Sequence, residues 1–165
     1  MFIICDTNGI GTFIPPTQTV TKISLIHTDC NLNILHKETM YVKGAKQLNK
    51  WCIEQGHDLN LINNGKPYED VLYMINKLID SKTLFISHNC QFHLGLLNLL
   101  KYKHICTSTN KIMLTNLEQS SYIKLGELAQ RLNIAYMEMN EAEYNVNILF
   151  RCFQELKKRD LFIEK

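Results

Sequence analysis

The chain has 165 residues, 45% hydrophobic and 21% charged, with a net charge of +2. That length suffices for one domain with a real core and no staples, and the composition is that of a soluble globule, not a disordered or fibrous chain. No apolar run approaches 18 residues, which excludes a membrane span; no basic-then-apolar leader precedes the first predicted strand; and +2 alone does not argue for nucleic acid. In chain order, residues 1–5 read as a short apolar strand ending at Asp6-Thr7-Asn8, followed by a loop with Gly9, Gly11, Pro15 and Pro16. Residues 20–28 and 33–42 alternate apolar and polar side chains around the turn residues Asp29, Cys30 and Asn31, which predicts an antiparallel hairpin. Residues 44–55 have helical spacing through Leu48, Trp51 and Cys52, ended by Gly56. Pro67 opens a helix with the stripe Val71, Leu72, Ile75, Leu78 and Ile79. A buried strand over 83–86, an apolar helix over 90–100, a short strand at Ile105-Cys106 and a helix over 124–132 follow. A long helix over 141–161 closes the chain, with Val146, Leu149, Phe150 and Phe153 inward.

Three strands followed by helices alternating with two more predict a mixed α/β sheet of about five strands, antiparallel hairpin first, flanked by helices. No repeat, linker or low-complexity tract divides it, so residues 1–165 read as a single domain. The six cysteines (Cys5, Cys30, Cys52, Cys90, Cys106, Cys152) contain no Cys-x-x-Cys and read as buried reduced thiols of an intracellular, cytoplasmic protein. Asn, Lys, Ile and Leu are abundant, which fits an AT-rich coding sequence such as some viruses, plasmids and protozoa carry.

An aspartate after a strand is ordinarily a turn or cap residue. A second segment changes its weight: Leu84-Phe85-Ile86-Ser87-His88-Asn89-Cys90-Gln91-Phe92-His93-Leu94. It resembles the DEDDh family of 3′–5′ exonucleases, where an apolar strand leads into His-Asn-x-x-Phe-Asp; here His93 replaces the aspartate. The family's closing motif, His-x-Ala-x-x-Asp, is similar to Asn140-Glu141-Ala142-Glu143-Tyr144-Asn145, with Asn at both functional positions. The opening Asp-x-Glu corresponds to Asp6-Thr7-Asn8, and the leucine-rich helix upstream of the last motif to Leu125, Leu128, Leu132 and Ile134. The resemblance runs over residues 1–156 and implies an RNase H-like fold.

In that family two Mg²⁺ ions are clamped by four carboxylates and stabilise the attacking water and the leaving oxygen, while a histidine serves as general base. The resemblance places those roles at Asp6, Asn8, His93 and Asn145, with Asn140 at the base position. Four carboxylates have fallen to one, Mg²⁺ prefers anionic oxygen ligands, and an amide does not accept a proton near neutral pH. These five positions are therefore expected to be vestigial, with no functional catalytic residue, no metal and no cofactor. Glu138, Glu141 and Glu143 read as a solvated helix start. The i, i+3 pair Cys90 and His93 has no second close pair to complete a zinc site. Thr7, His88, Asn89 and Phe92 are the candidates for a nucleic-acid groove. Tyr102 and Tyr122, each near lysines, are further candidates for stacking on bases.

The expected function is an inactive or severely impaired exonuclease-like domain retained as a binding module. It would be a protein-interaction subunit of a replication, transcription or RNA-processing complex. A protein partner is expected; single-stranded DNA or RNA and a homo-oligomer remain open. Two alternatives stand beside it: an active exonuclease with a rebuilt site using Mg²⁺ or Mn²⁺, and a structural subunit of a viral or plasmid-encoded assembly.

Overall fold

The computed structural model describes residues 1–10, 19–43, 53–54 and 57–162. Its centre is a six-stranded sheet of order β4-β3-β2-β1-β5-β6. The strands are β1 (Phe2–Ile10), β2 (Thr19–Thr28), β3 (Ile34–Lys43), β4 (Lys66–Pro67), β5 (Leu84–Ser87) and β6 (His104–Cys106). The helices are α1 (Leu59–Asn63), α2 (Tyr68–Asn76), α3 (Cys90–Leu96), α4 (Lys111–Asn116), α5 (Leu125–Arg131) and α6 (Ala142–Lys158). The first three strands form an antiparallel meander, while β5 and β6 run parallel to β1. The mixed sheet flanked by helices is therefore as expected, with the two-residue β4 as a sixth strand.

Strand alternation sorts the core onto two faces, since successive side chains point to opposite sides. Ile3, Cys5, Ile23, Leu25 and Phe85 face one way and pack with Val71, Ile75, Leu94 and Leu97 of the α2 and α3 side. Ile4, Ile26 and Ile86 face the other way and meet Val146, Leu149, Phe150 and Phe153 of α6, the inward set expected from its spacing. A third cluster joins α4, α5 and α6 through Met113, Leu114, Leu128, Leu132, Ile148, Cys152 and Leu156.

Several boundaries differ from expectation. β1 does not stop at Cys5: it stays paired with β2 through Asp6↔Ser24, Thr7↔Ile23 and Asn8↔Lys22, and the register shifts only between Asn8 and Gly9. Backbone pairing is indifferent to the polar side chains that made the strand look finished. The short helices α1 and α4 were not anticipated, although Asp58 and Asn110 cap them by accepting from Asn60 and Leu61, and from Met113. The α3 helix ends at Leu96, short of the expected 100. The helix expected over 44–55 lies outside the described residues but for 53–54, as do Gly11, Pro15, Pro16 and Cys52. The hairpin turn follows from Asp29, whose carboxylate accepts from the backbone of Asn31 and Asn33. Among the described residues the cysteines are free thiols; Cys5, Cys90 and Cys152 are buried and Cys106 half-buried, but Cys30 sits in that turn and is exposed, against expectation. No helix among the described residues is long and apolar enough to cross a membrane.

Candidate functional site

The parallel pairing of β1 with β5 brings the carboxyl ends of both strands to one edge of the sheet. There β1 carries Asp6 and Asn8, on the same face as Ile4 and therefore toward α6. From β5 the chain turns through His88 and Asn89 into α3; Asn89 takes the left-handed conformation, φ 69°, which asparagine tolerates better than most residues. α3 then presents Phe92 and His93, and α6 arrives N-terminus first with Asn140 just before it and Asn145 in its first turns.

Asp6, Asn8, His93, Asn140 and Asn145 line one cavity of about 310 Å³. Thr7, His88, Asn89 and Phe92 line it too, as do Gly9, Tyr122, Leu125 and Tyr136. The five positions are joined by hydrogen bonds. The Thr7 backbone N–H donates to His93 Nδ1 at 3.1 Å, so that nitrogen is an acceptor. The imidazole proton is thereby assigned to Nε2, which lies 3.1 Å from Asp6 Oδ1. The other carboxylate oxygen of Asp6 accepts from Asn145 Nδ2 at 3.4 Å. Asn8 is used in both directions: Oδ1 accepts from the Ala142 backbone at 2.9 Å, and Nδ2 donates to the Asn140 carbonyl at 3.2 Å. A carboxylate at position 8 could make the first bond but not the second.

Burial sets the electrostatics. Asp6 is only 4% exposed. Burial pushes its pKa up from 3.8 to about 8; the Asn145 donation lowers it, and the charge of Glu141 raises it further. Burial likewise holds His93 down near 4, against the opposing influence of Cys106 and the backbone at Thr7 and His88. His88, whose Nδ1 contacts Thr107 Oγ1 at 3.0 Å, is also held near 4, first by burial. The cleft thus holds two neutral imidazoles and an aspartate that resists ionisation.

Two features escaped the sequence. Lys22 sits opposite Asn8 in the β1–β2 register and ion-pairs with Glu141, whose other oxygen caps α6 by accepting from Glu143 and Tyr144 at 3.1 and 3.2 Å. Glu141 is therefore the N-cap of α6 and half of an ion pair, more than a solvated residue of a helix start. Lys22, Glu141, Asn8 and Asn140 also border an adjoining cavity of about 390 Å³ with Tyr41 and His57. Tyr136 is the other feature: its ring is 6.0 Å from that of Tyr144, on the cavity wall. Of the two stacking candidates, Tyr122 is at the cavity, 6.4 Å from the His88 ring, whereas Tyr102 packs against Phe85 in the core. Cys90 and His93 point apart: the Cys90 sulfur turns to Ile105 and Ser87, and the His93 ring to Asp6 and Thr7. Among the described residues no group of three or more His, Cys, Asp or Glu side chains is arranged to hold a metal ion.

The fold is that of RNase H-like exonucleases. It is similar to Escherichia coli Exonuclease I in complex with a dA16 oligonucleotide, with TM-score 0.75, 16% identity, and coverage of 98% of this chain and 42% of that one. It is equally similar to Exonuclease I in the ExoI/SSB-Ct complex, with TM-score 0.75, 16% identity, and 98% and 42% coverage. A 3′-exonuclease that recognises the 3′ end of a histone mRNA stem-loop aligns with TM-score 0.78 and 15% identity, over 98% of this chain and 65% of that one. The chain thus spans about two-fifths of the Exonuclease I chains and just under two-thirds of the other. No family profile matches the sequence, and no curated protein matches it.

Proposed function

We propose that this chain is an exonuclease-fold domain without exonuclease activity, retained as a binding module in a nucleic-acid-processing complex. One observation carries this reading. The single carboxylate among the five converging positions has both oxygens engaged, one by His93 and the other by Asn145. The remaining positions offer an imidazole whose Nδ1 is taken by Thr7 and amides that bond to each other and to α6. Two Mg²⁺ ions, with four positive charges between them, do not fit such a donor set, since Mg²⁺ is held by hard and preferably anionic oxygens. A base is missing as well: position 140 is an amide, and His93 is committed to Thr7 and Asp6. What the cleft offers instead is an aromatic lining of Phe92, Tyr122 and Tyr136, suited to stacking on unpaired bases. The similar Exonuclease I structures include one with an oligonucleotide and one with SSB-Ct, which supports a single strand and a protein as the classes of partner to test here.

The test is 3′-end trimming of 5′-labelled single-stranded DNA and RNA with Mg²⁺ or Mn²⁺. No shortening above background is expected. Robust trimming that Asp6→Ala abolishes would overturn the reading in favour of a rebuilt metal site. A parallel binding titration in chelator, repeated at two salt concentrations, separates a nucleic-acid module from a purely structural subunit: the former weakens as salt rises, and the latter does not bind.

A further inference from the structure

Behind the cleft, the sheet register stacks two cysteines whose surroundings differ in kind. β6 pairs with β5 so that Cys106 lies opposite Ser87, and Cys90, three residues beyond Ser87, falls over it at the first position of α3. The Cys106 sulfur is surrounded by donors. The Cys90 backbone N–H reaches it at 3.2 Å, and Ser108 Oγ lies 3.1 Å away. The Cys90 sulfur instead faces acceptors, the carbonyls of Ile105 at 3.4 Å and Ser87 at 3.6 Å. Cys106 is half-buried and Cys90 buried, so the residue whose sulfur lies among donors is the more exposed of the two.

We propose that Cys90 and Cys106 are an oxidation-sensitive dithiol, with Cys106 the attacking thiol, Cys90 the resolving thiol, and a small-molecule disulfide of the glutathione type the oxidant. Donors stabilise a thiolate, the reactive form, and acceptors keep a thiol protonated. In accord with this, the Cys90 hydrogen bond, outweighing burial, holds Cys106 well below the usual thiol range, and the same bond with burial holds Cys90 above it. In the first step the Cys106 thiolate attacks one sulfur of oxidised glutathione; the S–S bond breaks, and one glutathione leaves as thiolate and takes up a proton. In the second, Cys90 loses its proton to solvent and attacks the Cys106 sulfur of the mixed disulfide, releasing the second glutathione. Two thiols are oxidised to one disulfide and one glutathione disulfide is reduced to two thiols. The product ties the start of α3, the helix bearing Phe92 and His93, to β6.

The experiment incubates the folded wild-type protein with oxidised glutathione, alkylates the remaining thiols with iodoacetamide and maps peptides without reduction. A Cys90–Cys106 cross-linked peptide is expected, with two thiols lost and both restored by dithiothreitol. Cys90→Ser should instead retain glutathione on Cys106. The wild-type map decides the matter even if that variant fails to fold. Modification confined to the exposed Cys30, with Cys106 fully alkylated, would overturn the proposal. So would a disulfide joining Cys90 to Cys5, its neighbour on β1, or to Cys52.

Discussion

Asp6 is held by two donors, yet burial works against its charge, and the two effects leave a trace in pH. Its folded pKa of about 8 exceeds the ordinary 3.8, so the native state keeps a proton that the unfolded chain releases between those values. Stability from this group is therefore full at low pH and is lost as pH rises toward 8. His88 and His93, folded near 4 against an ordinary 6.5, act oppositely: their contribution is present above 6.5 and is lost as pH falls through that window. Below 6.5 two histidines outweigh one aspartate, and above it the aspartate acts alone, so these groups place the stability maximum near pH 6.5. Asp6→Asn isolates the acid. Asn145 Oδ1 is buried with no hydrogen-bond partner among the described residues. A turned Asn145 amide could accept from the new amide at position 6 while His93 still donates to that amide's oxygen. The substitution should stabilise the protein at pH 9 by about 1–3 kcal/mol, the scale of an unsatisfied buried polar group, or about 2–4 °C of melting temperature per kcal/mol. The gap should narrow steadily as pH falls and close only below the ordinary carboxyl value of 3.8. Melting curves of parent and variant that stay parallel from pH 5 to 9 would refute the assignment of a raised Asp6.

At the scale of elements, one side chain at the entrance to α6 has two jobs. Glu141 caps the helix and also partners Lys22, whose side chain is only 14% exposed. Glu141→Ala should cost about 0.5–2 kcal/mol for the lost cap and more for the lost ion pair, which leaves the Lys22 ammonium the Tyr41 ring. Glu141→Ser should recover the cap but not the ion pair, and so melt between the two. Equal melting of Glu141→Ala and parent would mean that neither contact holds α6 in place. The same elements show what was readable beforehand. The strands and α6 follow from alternation and from an apolar stripe, both of which are packing signals. α1 and α4 are too short to carry a stripe and betray themselves only by the capping Asp58 and Asn110. β1 looked short because its second half is polar, and it is polar because it lines the cleft. The five cleft positions came from motif resemblance alone; no periodicity joins residue 6 to residue 145. Lys22 stayed hidden because a lysine on an alternating strand reads as solvated, and its partner is 119 residues away. Tyr136 stayed hidden because nothing local distinguishes it from any tyrosine in a loop.

For the whole molecule, the cleft joins three elements that share no sequence neighbourhood: β1, α3 and the entrance to α6. Where an active enzyme of this fold would join them through metal ions, this chain is proposed to join them through amides, an imidazole and one ion pair. A metal-free cluster of carboxylates repels itself and must be neutralised or strain the fold. The replacements should therefore be stabilising without metal, and restoring the acids should make the fold depend on it. The quadruple variant Asn8→Glu, His93→Asp, Asn140→His and Asn145→Asp tests this. It deletes the Asn8 donation to Asn140, the His93 and Asn145 donations to Asp6, and the His93 acceptor for Thr7. In chelator it should melt well below the parent, since three new acids meet Asp6 in one cleft and repel one another with no metal between them. Mg²⁺ or Mn²⁺ should restore much of the loss, because an ion that binds only the native state stabilises by mass action, while the parent should not respond. Weak 3′ trimming in the metal-loaded variant would show that the substrate groove has outlived the chemistry. A variant as stable as the parent in chelator and indifferent to metal would instead show that these four substitutions do not rebuild one metal centre, and the correspondence with the exonuclease motifs would fail with it.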